Sequence, residues 1–172
     1  VGNHSVTLKA IDDGGVYNLQ HFTITVTNVN DAPTKANDIN NQTIAEDSTL
    51  NFQFASNTFA DVDSGDSLTY AATLSNGSNL PSWLSFNAGT RTFSGTPRNG
   101  DVGTITVKVT ATDGSSASVY ETFNIAVTNT NDAPTITSSA VTSVTENNAY
   151  SYTFAASDVD SGDSVTLSAP TK

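Results

Sequence analysis

Hydrophobic and polar side chains alternate along several short segments of the chain. The alternation runs from Leu50 to Phe54, from Ile105 to Ala111 and from Phe123 to Val127. A period of two places successive side chains on opposite faces of an extended backbone, so each segment predicts a half-buried β-strand. No segment has the 3.6-residue period of an amphipathic helix, and the pattern therefore indicates an all-β protein.

Turn-forming residues separate the predicted strands. The pairs that mark these turns are Ser64-Gly65, Asn76-Gly77, Ala88-Gly89, Asn99-Gly100 and Asp113-Gly114. About seven short strands in roughly 100 residues, divided by such turns, are typical of a Greek-key β-sandwich. We expect Trp83, Leu84 and Phe86 to fill the core of that sandwich.

The chain contains an internal repeat, which sets its domain organisation. Residues 24–33 read ITVTNVNDAP and residues 125–134 read IAVTNTNDAP, an offset of 101. The heptad DVDSGDS occurs at 61–67 and again at 158–164, an offset of 97. The repetition of both motifs in the same order predicts tandem copies of one structural unit.

These motifs divide the chain into three segments. Residues 1–30 are the end of one repeat (the first part-repeat), residues 31–132 are a complete repeat (the central repeat), and residues 133–172 are the start of another (the third part-repeat). The predicted fold is therefore all-β, a tandem Greek-key β-sandwich with one complete domain of about seven strands flanked by two partial domains. Both part-repeats lack the roughly 20 residues equivalent to 81–101, so we expect the chain to be a fragment of a longer repeat protein.

The charge balance narrows the range of partners. The chain has 17 acidic and 6 basic residues and a net charge of −11, which argues against nucleic acid and an anionic membrane surface, because both attract Lys and Arg. Only 13% of the residues are charged, which is unlike a disordered acidic chain. There is no Cys to form a disulfide, and no apolar run is long enough to span a membrane.

The acidic residues gather in a few loops. DVDSGDS places Asp61, Asp63 and Asp66 in one loop without a basic neighbour, an arrangement that is repulsive unless a cation is bound. The D-x-D spacing puts two carboxylates on one side of an extended segment, and Gly65 allows a sharp turn. Calcium, which takes six to eight oxygen ligands, fits this chemistry better than magnesium or zinc. The alternative is a solvated acidic turn, and the repetition of the heptad favours calcium.

The heptad does not begin an EF-hand loop. Gly65 stands at the fifth position, where an EF-hand has Asp or Asn, and Ala72 stands at the twelfth, where a bidentate Glu is required. We therefore expect a different kind of calcium site.

Several motifs together resemble a known family. They are N-x-N-D-A-P at 28–33 and 129–134, DVDSGD at 61–66, the strand end Ala111-Thr-Asp113-Gly, and LPSWLSFNAGTRTFSGTP at 80–97. The chain resembles cadherin-like domains, in particular the dystroglycan-type cadherin-like modules and Ig-like repeats of large bacterial surface proteins, more than the cadherins that carry a D-R-E motif. The resemblance implies a cadherin/Ig-like sandwich and an extracellular location.

In such modules calcium binds where two domains meet, and the resemblance implies which residues here would serve as ligands. At the first junction, between the first part-repeat and the central repeat, they are Asn28, Asn30, Asp31, Asp61, Asp63, Asp66 and Asp113. At the second junction, between the central and third segments, they are Glu46, Asp101, Asn129, Asn131, Asp132, Asp158, Asp160 and Asp163. We expect about one to three Ca²⁺ ions per junction, with Asp101 standing in for the missing D-R-E motif.

The predicted function is a calcium-binding, calcium-stiffened structural or adhesion module of an extracellular bacterial repeat protein. Its expected partners are calcium, the neighbouring repeats, and another cell-surface protein or a polysaccharide. The alternative function is a carbohydrate-binding accessory module of a secreted polysaccharide-degrading enzyme. Sugar sites commonly use exposed aromatic rings, and we expect the core to take most of Tyr17, Tyr120, Tyr150 and Tyr152.

Two further expectations concern catalysis and self-association. The chain has no G-x-S-x-G or H-E-x-x-H motif, so we expect it not to be an enzyme. The third part-repeat supplies early strands of a module and the first part-repeat supplies late strands. Neighbouring chains could therefore build a composite sandwich and form a homo-oligomer by strand complementation.

Overall fold

The computed structural model describes residues 1–168, and strands make up its regular structure apart from one turn of 3-10 helix at Asn99–Asp101. The last four residues of the predicted third part-repeat, 169–172, lie outside the described residues. The strands are β1 (Gly2–Ile11), β2 (Tyr17–Val26), β3 (Thr34–Lys35), β4 (Gln42–Ala45), β5 (Leu50–Gln53), β6 (Phe59–Ala60), β7 (Thr69–Leu74), β8 (Leu84–Asn87), β9 (Thr92–Gly95), β10 (Gly103–Thr112), β11 (Ser118–Thr128), β12 (Thr135–Ile136) and β13 (Ala156–Ser157).

The central repeat forms a sandwich of two sheets. One sheet has four strands in the order β4-β11-β10-β7, and the other has three in the order β5-β9-β8. Neighbouring strands are antiparallel, except that β4 lies parallel to β11. The N-x-N-D-A-P motifs at 28–33 and 129–134 form the first and second linkers. The short antiparallel pair β3–β6 begins directly after the first linker. The prediction of an all-β sandwich is confirmed.

Inward-facing residues of both sheets form one core. In β11, Phe123, Ile125 and Val127 are buried and the residues between them are less covered, as the period of two predicts. Phe93 of β9 meets Phe123 with ring centroids 5.4 Å apart and ring planes at 67°. This edge-to-face contact joins the two sheets, and the burial of such rings supplies much of the apolar stabilisation.

Trp83, Leu84 and Phe86 pack into this core, as predicted. Leu84 is buried, and Trp83 and Phe86 are partly buried against the core cluster. The backbone of Trp83 also lies directly over Gly95, where an added Cβ would come within 1.7 Å of the Trp83 carbonyl oxygen. Glycine is therefore required at position 95 for β8 to pair with β9.

The two part-repeats are far less buried than the central repeat. Strands β1 and β2 pair along their whole length as an antiparallel hairpin, and almost every residue of this hairpin is exposed. In residues 133–168 the only strands are the short pair β12–β13. The segment boundaries at 30 and 132 stay predictions. Within residues 1–168, no helix has the length and hydrophobicity needed to cross a bilayer.

Candidate metal centres at the repeat junctions

Both copies of the DVDSGDS heptad adopt the same loop. In the first, the Asp61 carboxylate accepts a hydrogen bond from the Asp63 amide at 2.9 Å, and in the second Asp158 accepts one from Asp160 at 2.9 Å. The glycine of each heptad has φ of +99°, a conformation that allows the sharp turn and favours glycine. Each loop gathers three carboxylates whose oxygens lie within 4.8 Å of one another: Asp61, Asp63 and Asp66 in one, and Asp158, Asp160 and Asp163 in the other.

The first linker connects directly to the first heptad loop. The Asn28 side-chain amide donates to Asp63 Oδ1 at 2.7 Å, and the Asp31 backbone amide donates to Asp63 Oδ2 at 2.7 Å. The Asn30 side chain donates to Asp113 Oδ2 at 3.0 Å. The linker thus contacts two acidic positions that are far apart in sequence, and it holds both at the first junction.

The acidic residues of the first junction influence one another's ionisation. Loss of surrounding water raises the pKa of Asp66, and the negative charges of Asp61, Asp63 and Asp113 raise it further. The pKa of Asp113 is lowered chiefly by the hydrogen bond from Asn30, with help from backbone amides at its own turn and against the effect of desolvation. The part of this pKa rise that comes from Asp61, Asp63 and Asp113 reflects repulsion between neighbouring carboxylates, which a bound cation would relieve.

The second junction contains a buried carboxylate with an unpaired oxygen. Glu46 is only 2% exposed, and its Oε1 accepts a hydrogen bond from the Thr130 amide at 2.9 Å. Its Oε2 is buried and has no hydrogen-bond partner among the described residues. Glu46, Asp47 and Asp132 form a third group with oxygens within 4.8 Å of one another. A buried carboxylate oxygen without a partner is destabilising, and a cation would satisfy it.

The Asp160 carboxylate of the second heptad loop accepts hydrogen bonds from the second linker and from the central repeat. Asp160 is 6% exposed, and its Oδ2 accepts a hydrogen bond from the Asp132 backbone amide at 2.6 Å. Its Oδ1 accepts one from the Asn99 side chain at 3.2 Å. Asn99 belongs to the central repeat, so this contact joins the central and third segments without passing through the linker.

The structure brings together most, though not all, of the residues predicted from the sequence. At the first junction, Asp61, Asp63 and Asp66 form one carboxylate group, Asn28 and Asp31 donate hydrogen bonds to it, and Asn30 donates to Asp113, so all seven predicted residues are accounted for. At the second junction, five predicted residues lie in the two carboxylate groups: Glu46, Asp132, Asp158, Asp160 and Asp163. Asn131 donates to the Asp132 carbonyl at 3.0 Å. Within residues 1–168, Asp101 belongs to neither carboxylate group, and the Asn129 side chain makes no hydrogen bond to either of them. The Asp101 carboxylate accepts from the Arg98 amide at 2.9 Å and caps the 3-10 turn, and its role as a ligand stays a prediction.

Two residues of the second junction were not predicted as site residues. Asp47 joins the group of Glu46, and the sequence signal was its place directly after Glu46. Its φ of +59° is a left-handed conformation that Asp tolerates in tight turns. Asn99 lies two residues before Asp101, the position that was predicted instead, and only the three-dimensional path of the 3-10 turn shows which of the two reaches Asp160.

Solved structures similar to this chain include cadherin domains. Extracellular cadherin domains 1–4 of protocadherin gamma B7 match with 23% identity over 94% of this chain and 42% of theirs, at a TM-score of 0.59. Domains 1–5 of protocadherin gamma B2 match with 22% identity over 94% of this chain and 33% of theirs, at a TM-score of 0.60. These likenesses show the fold, and the chain spans less than half of either structure.

An enzyme is also among the similar structures. An endo-fucoidan hydrolase of glycoside hydrolase family 107 matches with 26% identity over 75% of this chain, but over only 19% of its own length and at a TM-score of 0.48. No curated protein matches the chain. The family described as "Putative Ig domain" matches residues 32–128, which is most of the central repeat and more than half of the chain. The chain therefore belongs to this Ig-domain family, with a sandwich of the Ig/cadherin type.

Proposed function

We propose that this chain is a calcium-binding structural module of an extracellular repeat protein, in which calcium at the junctions fixes neighbouring repeats relative to one another. The observation that carries the proposal is the buried, unpaired Oε2 of Glu46 beside two further carboxylates. An acidic group on a protein surface is common without a metal, but a buried carboxylate oxygen that lacks any hydrogen bond, in a residue only 2% exposed, is not, because its burial is costly.

The available donors fit calcium in kind and number. At the second junction the carboxylates of Glu46, Asp47 and Asp132 lie together, and the heptad loop adds those of Asp158, Asp160 and Asp163. All of these donors are oxygens, which calcium prefers, and the chain has no Cys for a structural zinc site. Bound calcium would neutralise these charges and hold the ligands in place.

The arrangement links calcium binding to the relation between repeats. Glu46 and Asp47 come from the central repeat, Asp132 comes from the linker, and the second heptad comes from the third part-repeat. An ion that binds only when these three segments are together stabilises that arrangement by mass action. The mechanical result is a stiffer junction in an extended chain of modules.

The remaining parts of the proposal follow from the motifs and the fold. We assign the module to the dystroglycan-type cadherin-like group because of its N-x-N-D-A-P linkers and the LPSWLSF segment. We place it outside the cell, on a bacterial surface or secreted, in contact with neighbouring repeats and with another surface protein or a polysaccharide. The module is non-catalytic in this proposal, since the acidic group of the heptad recurs at each junction.

The direct test is calcium titration of chelator-stripped protein by calorimetry, together with thermal melting. We expect Ca²⁺ at about 100 times its dissociation constant to stabilise the fold by about 2.7 kcal/mol. For a domain of this size that raises the melting temperature by roughly 10–20 °C. Glu46→Gln should weaken binding at the second junction by at least about tenfold, because one ligand charge is lost.

The matched control for Glu46→Gln is Asp38→Asn. Asp38 is an exposed carboxylate whose partner is Lys35, away from the three acidic groups, so its replacement changes the net charge equally without touching a junction. We expect Asp38→Asn to bind calcium like the original protein. Identical melting in EDTA and in millimolar calcium would disprove the proposal.

Exposed tyrosines support a second candidate, carbohydrate binding. Tyr120 of β11 is 63% exposed, and the Lys108 ammonium lies 6.0 Å from its ring centroid. Tyr17 and Tyr150 are exposed as well, so the expectation that most of these tyrosines lie in the core was wrong for three of the four. An exposed ring beside a hydrogen-bond donor can stack on a sugar. Binding to insoluble polysaccharides, with Tyr120→Ala as the variant and with chelator present, tests this function separately from calcium.

A further inference from the structure

Asparagine is followed by glycine twice in the central repeat. The two pairs are Asn76-Gly77, in the turn after β7, and Asn99-Gly100, in the 3-10 turn at the second junction. Such a pair is chemically reactive, because the glycine amide nitrogen can approach the asparagine side-chain carbonyl without obstruction by a Cβ. Since the two sequences are the same, the surrounding structure decides how readily each pair reacts.

The glycine amide is hydrogen-bonded in one pair and free in the other. The Gly77 amide donates to the Leu74 carbonyl at 2.9 Å, and the Asn76 side-chain oxygen accepts from the Ser78 amide at 2.9 Å. Within residues 1–168 the Gly100 amide donates no hydrogen bond, since the first amides of a helical turn have no partner in the turn. The nucleophile is therefore available at Gly100 and held back at Gly77.

The Asn99 side chain is held by a residue of another segment. Its Nδ2 donates to Asp160 Oδ1 at 3.2 Å, across the second junction. Attack by Gly100 requires the Asn99 carbonyl carbon to rotate towards the Gly100 nitrogen, and this rotation breaks the hydrogen bond to Asp160. A hydrogen bond of ordinary net strength slows such a rotation about fivefold. The junction therefore controls access to the reactive conformation.

We propose that Asn99 is a site of spontaneous deamidation, and that the closed second junction protects it. Hydroxide removes the Gly100 amide proton, and the Gly100 nitrogen forms a bond to Asn99 Cγ. The bond from Cγ to Nδ2 breaks, and Nδ2 takes up a proton and leaves as ammonia. Water then adds to one of the two carbonyl carbons of the resulting cyclic imide and breaks its bond to the ring nitrogen. The product at position 99 is aspartate or isoaspartate.

The product changes the charge of the second junction. A side-chain donor that contacts Asp160 becomes a carboxylate, so an attractive contact is replaced by two like charges close together. Asp160 is only 6% exposed, which limits the screening of this repulsion by solvent. Isoaspartate also lengthens the backbone of the 3-10 turn by one methylene group. Reaction at Asn99 therefore loosens the contact between the central and third segments, and the change is not reversed because ammonia is lost.

Calcium enters through the protection of Asn99, and this step alone rests on the proposed function. An ion that holds the second heptad against the central repeat also holds Asp160 at Asn99, and so slows the reaction. After the reaction, a bound cation offsets part of the added negative charge. The deamidation itself needs only water and the residues of the turn.

Peptide mapping by mass spectrometry measures the two sites separately in one sample. Cleavage by trypsin after Arg98 and Lys108 isolates residues 99–108, in which Asn99 has the only side-chain amide, whereas Asn76 lies in residues 36–91. We expect residues 99–108 to gain about 1 Da during incubation of the full chain in EDTA at mildly alkaline pH. The proposal is wrong if Asn76 converts completely while residues 99–108 gain no mass.

Gly100→Ala tests the chemistry. Apart from the chain neighbours of Gly100, no atom of the described residues lies within 4 Å of the position that a Cβ would take, and the φ of Gly100 is outside the left-handed region, so alanine fits the turn. The added methyl group obstructs the attacking nitrogen, and we expect conversion of Asn99 to slow at least about tenfold. Conversion of Asn76 is the internal reference and should not change. Equal conversion of Asn99 in the variant and in the original protein would overturn the proposed attack.

Asp160→Ala tests the protection by the junction. Removal of the acceptor frees the Asn99 side chain, so Asn99 should convert about fivefold faster in EDTA. The matched control is Asp163→Ala, which removes a carboxylate from the same heptad loop but not the one that contacts Asn99. We expect the control to convert Asn99 at the original rate. An unchanged rate in Asp160→Ala, or an equal rise in both variants, would reject the role of the junction.

Calcium separates the modification from the proposed function. Saturating calcium should slow the conversion of Asn99 several-fold and leave that of Asn76 unchanged. If Gly100→Ala blocks the conversion but calcium does not alter it, the modification site stands and the coupling to calcium fails. Calcium binding by calorimetry without any conversion of Asn99 would reject the site and leave the proposed function intact.

Asn99→Asp tests the consequence of the reaction directly. In EDTA we expect the Asp132 amide, which donates to Asp160, to exchange its hydrogen at least about fivefold faster than in the original protein. Asn76→Asp adds the same charge in the turn after β7 and should leave this exchange unchanged. Unchanged exchange in Asn99→Asp would mean that the product does not loosen the junction.

Discussion

The two junctions contain the same heptad, but different residues hold it. At the first junction Asp63 is held by the linker, through the Asn28 side chain and the Asp31 amide. At the second junction Asp160 is held by the Asp132 amide of the linker and by Asn99 of the central repeat. The backbone contact is therefore common to both junctions, and the side-chain contact changes from the linker to the preceding module.

This difference separates the contacts that the repeated motifs make from those that the preceding module supplies. The hydrogen bond from the linker backbone to the heptad forms at both copies of the two motifs. The buried glutamate and the asparagine of the 3-10 turn come from the module before the linker, and only the second junction has such a module among the described residues. The second junction is therefore expected to bind calcium more tightly than the first.

The strongest test of this comparison is the same substitution in both heptads. Asp160→Asn should remove more of the calcium-induced rise in melting temperature than Asp63→Asn, because Asp160 lies beside the group of Glu46. A tenfold loss of affinity corresponds to about 1.4 kcal/mol, or roughly 6–11 °C for a domain of this size. Differential scanning calorimetry of both variants, with calcium and with EDTA, gives the measurement. A larger loss for Asp63→Asn would reverse the ranking of the junctions.

A smaller effect is expected at Asp47. Its carboxylate is part of the Glu46 group, but the residue is exposed, so water can partly replace it as a ligand. Asp47→Asn should weaken calcium binding at the second junction by about three- to tenfold and leave the first junction unchanged. Isothermal calorimetry resolves the two classes of site, and Asp38→Asn again serves as the charge control. An unchanged titration would remove Asp47 from the site.

Much of the fold and of the site could be predicted from the sequence, since both depend on local patterns. The period of two in Phe123–Val127 predicted a buried strand face, and the glycine of DVDSGDS predicted the sharp acidic turn. The same period could have placed Tyr120 correctly, because it is an odd number of residues from Phe123 and so points to the other face.

Tertiary contacts set the limit of the sequence prediction. Nothing local distinguishes Asn99 from Asp101 as the residue that reaches the second junction, because the choice depends on how the 3-10 turn lies against another segment. Likewise, Val144 belongs to a strand-like pattern but forms no strand, since an edge strand requires a partner that the described residues do not supply.

The side-chain hydrogen bonds that differ between the two junctions can each be removed by one substitution, and the effect can be measured in the absence of calcium. Asn99→Ala should speed hydrogen exchange of the Asp132 amide by about fivefold, since a hydrogen bond contributes about 1 kcal/mol, and should leave the Asp31 amide unchanged. Asn28→Ala should do the opposite. The two variants are controls for each other. Equal changes at both amides in either variant would mean that the junctions are not independent.

The smallest effect is expected for Asp101→Asn. The Asp101 carboxylate accepts a hydrogen bond from the Arg98 backbone amide, and the side-chain oxygen of an asparagine can accept the same hydrogen bond. The variant should therefore keep its melting temperature within about 2 °C and its calcium affinity within about twofold. Calorimetry under the conditions used for Asp47→Asn makes the comparison direct. A tenfold loss of calcium affinity would instead identify Asp101 as a ligand. The 3-10 turn would then have to rearrange when calcium binds, because the Asp101 carboxylate accepts the hydrogen bond that caps this turn.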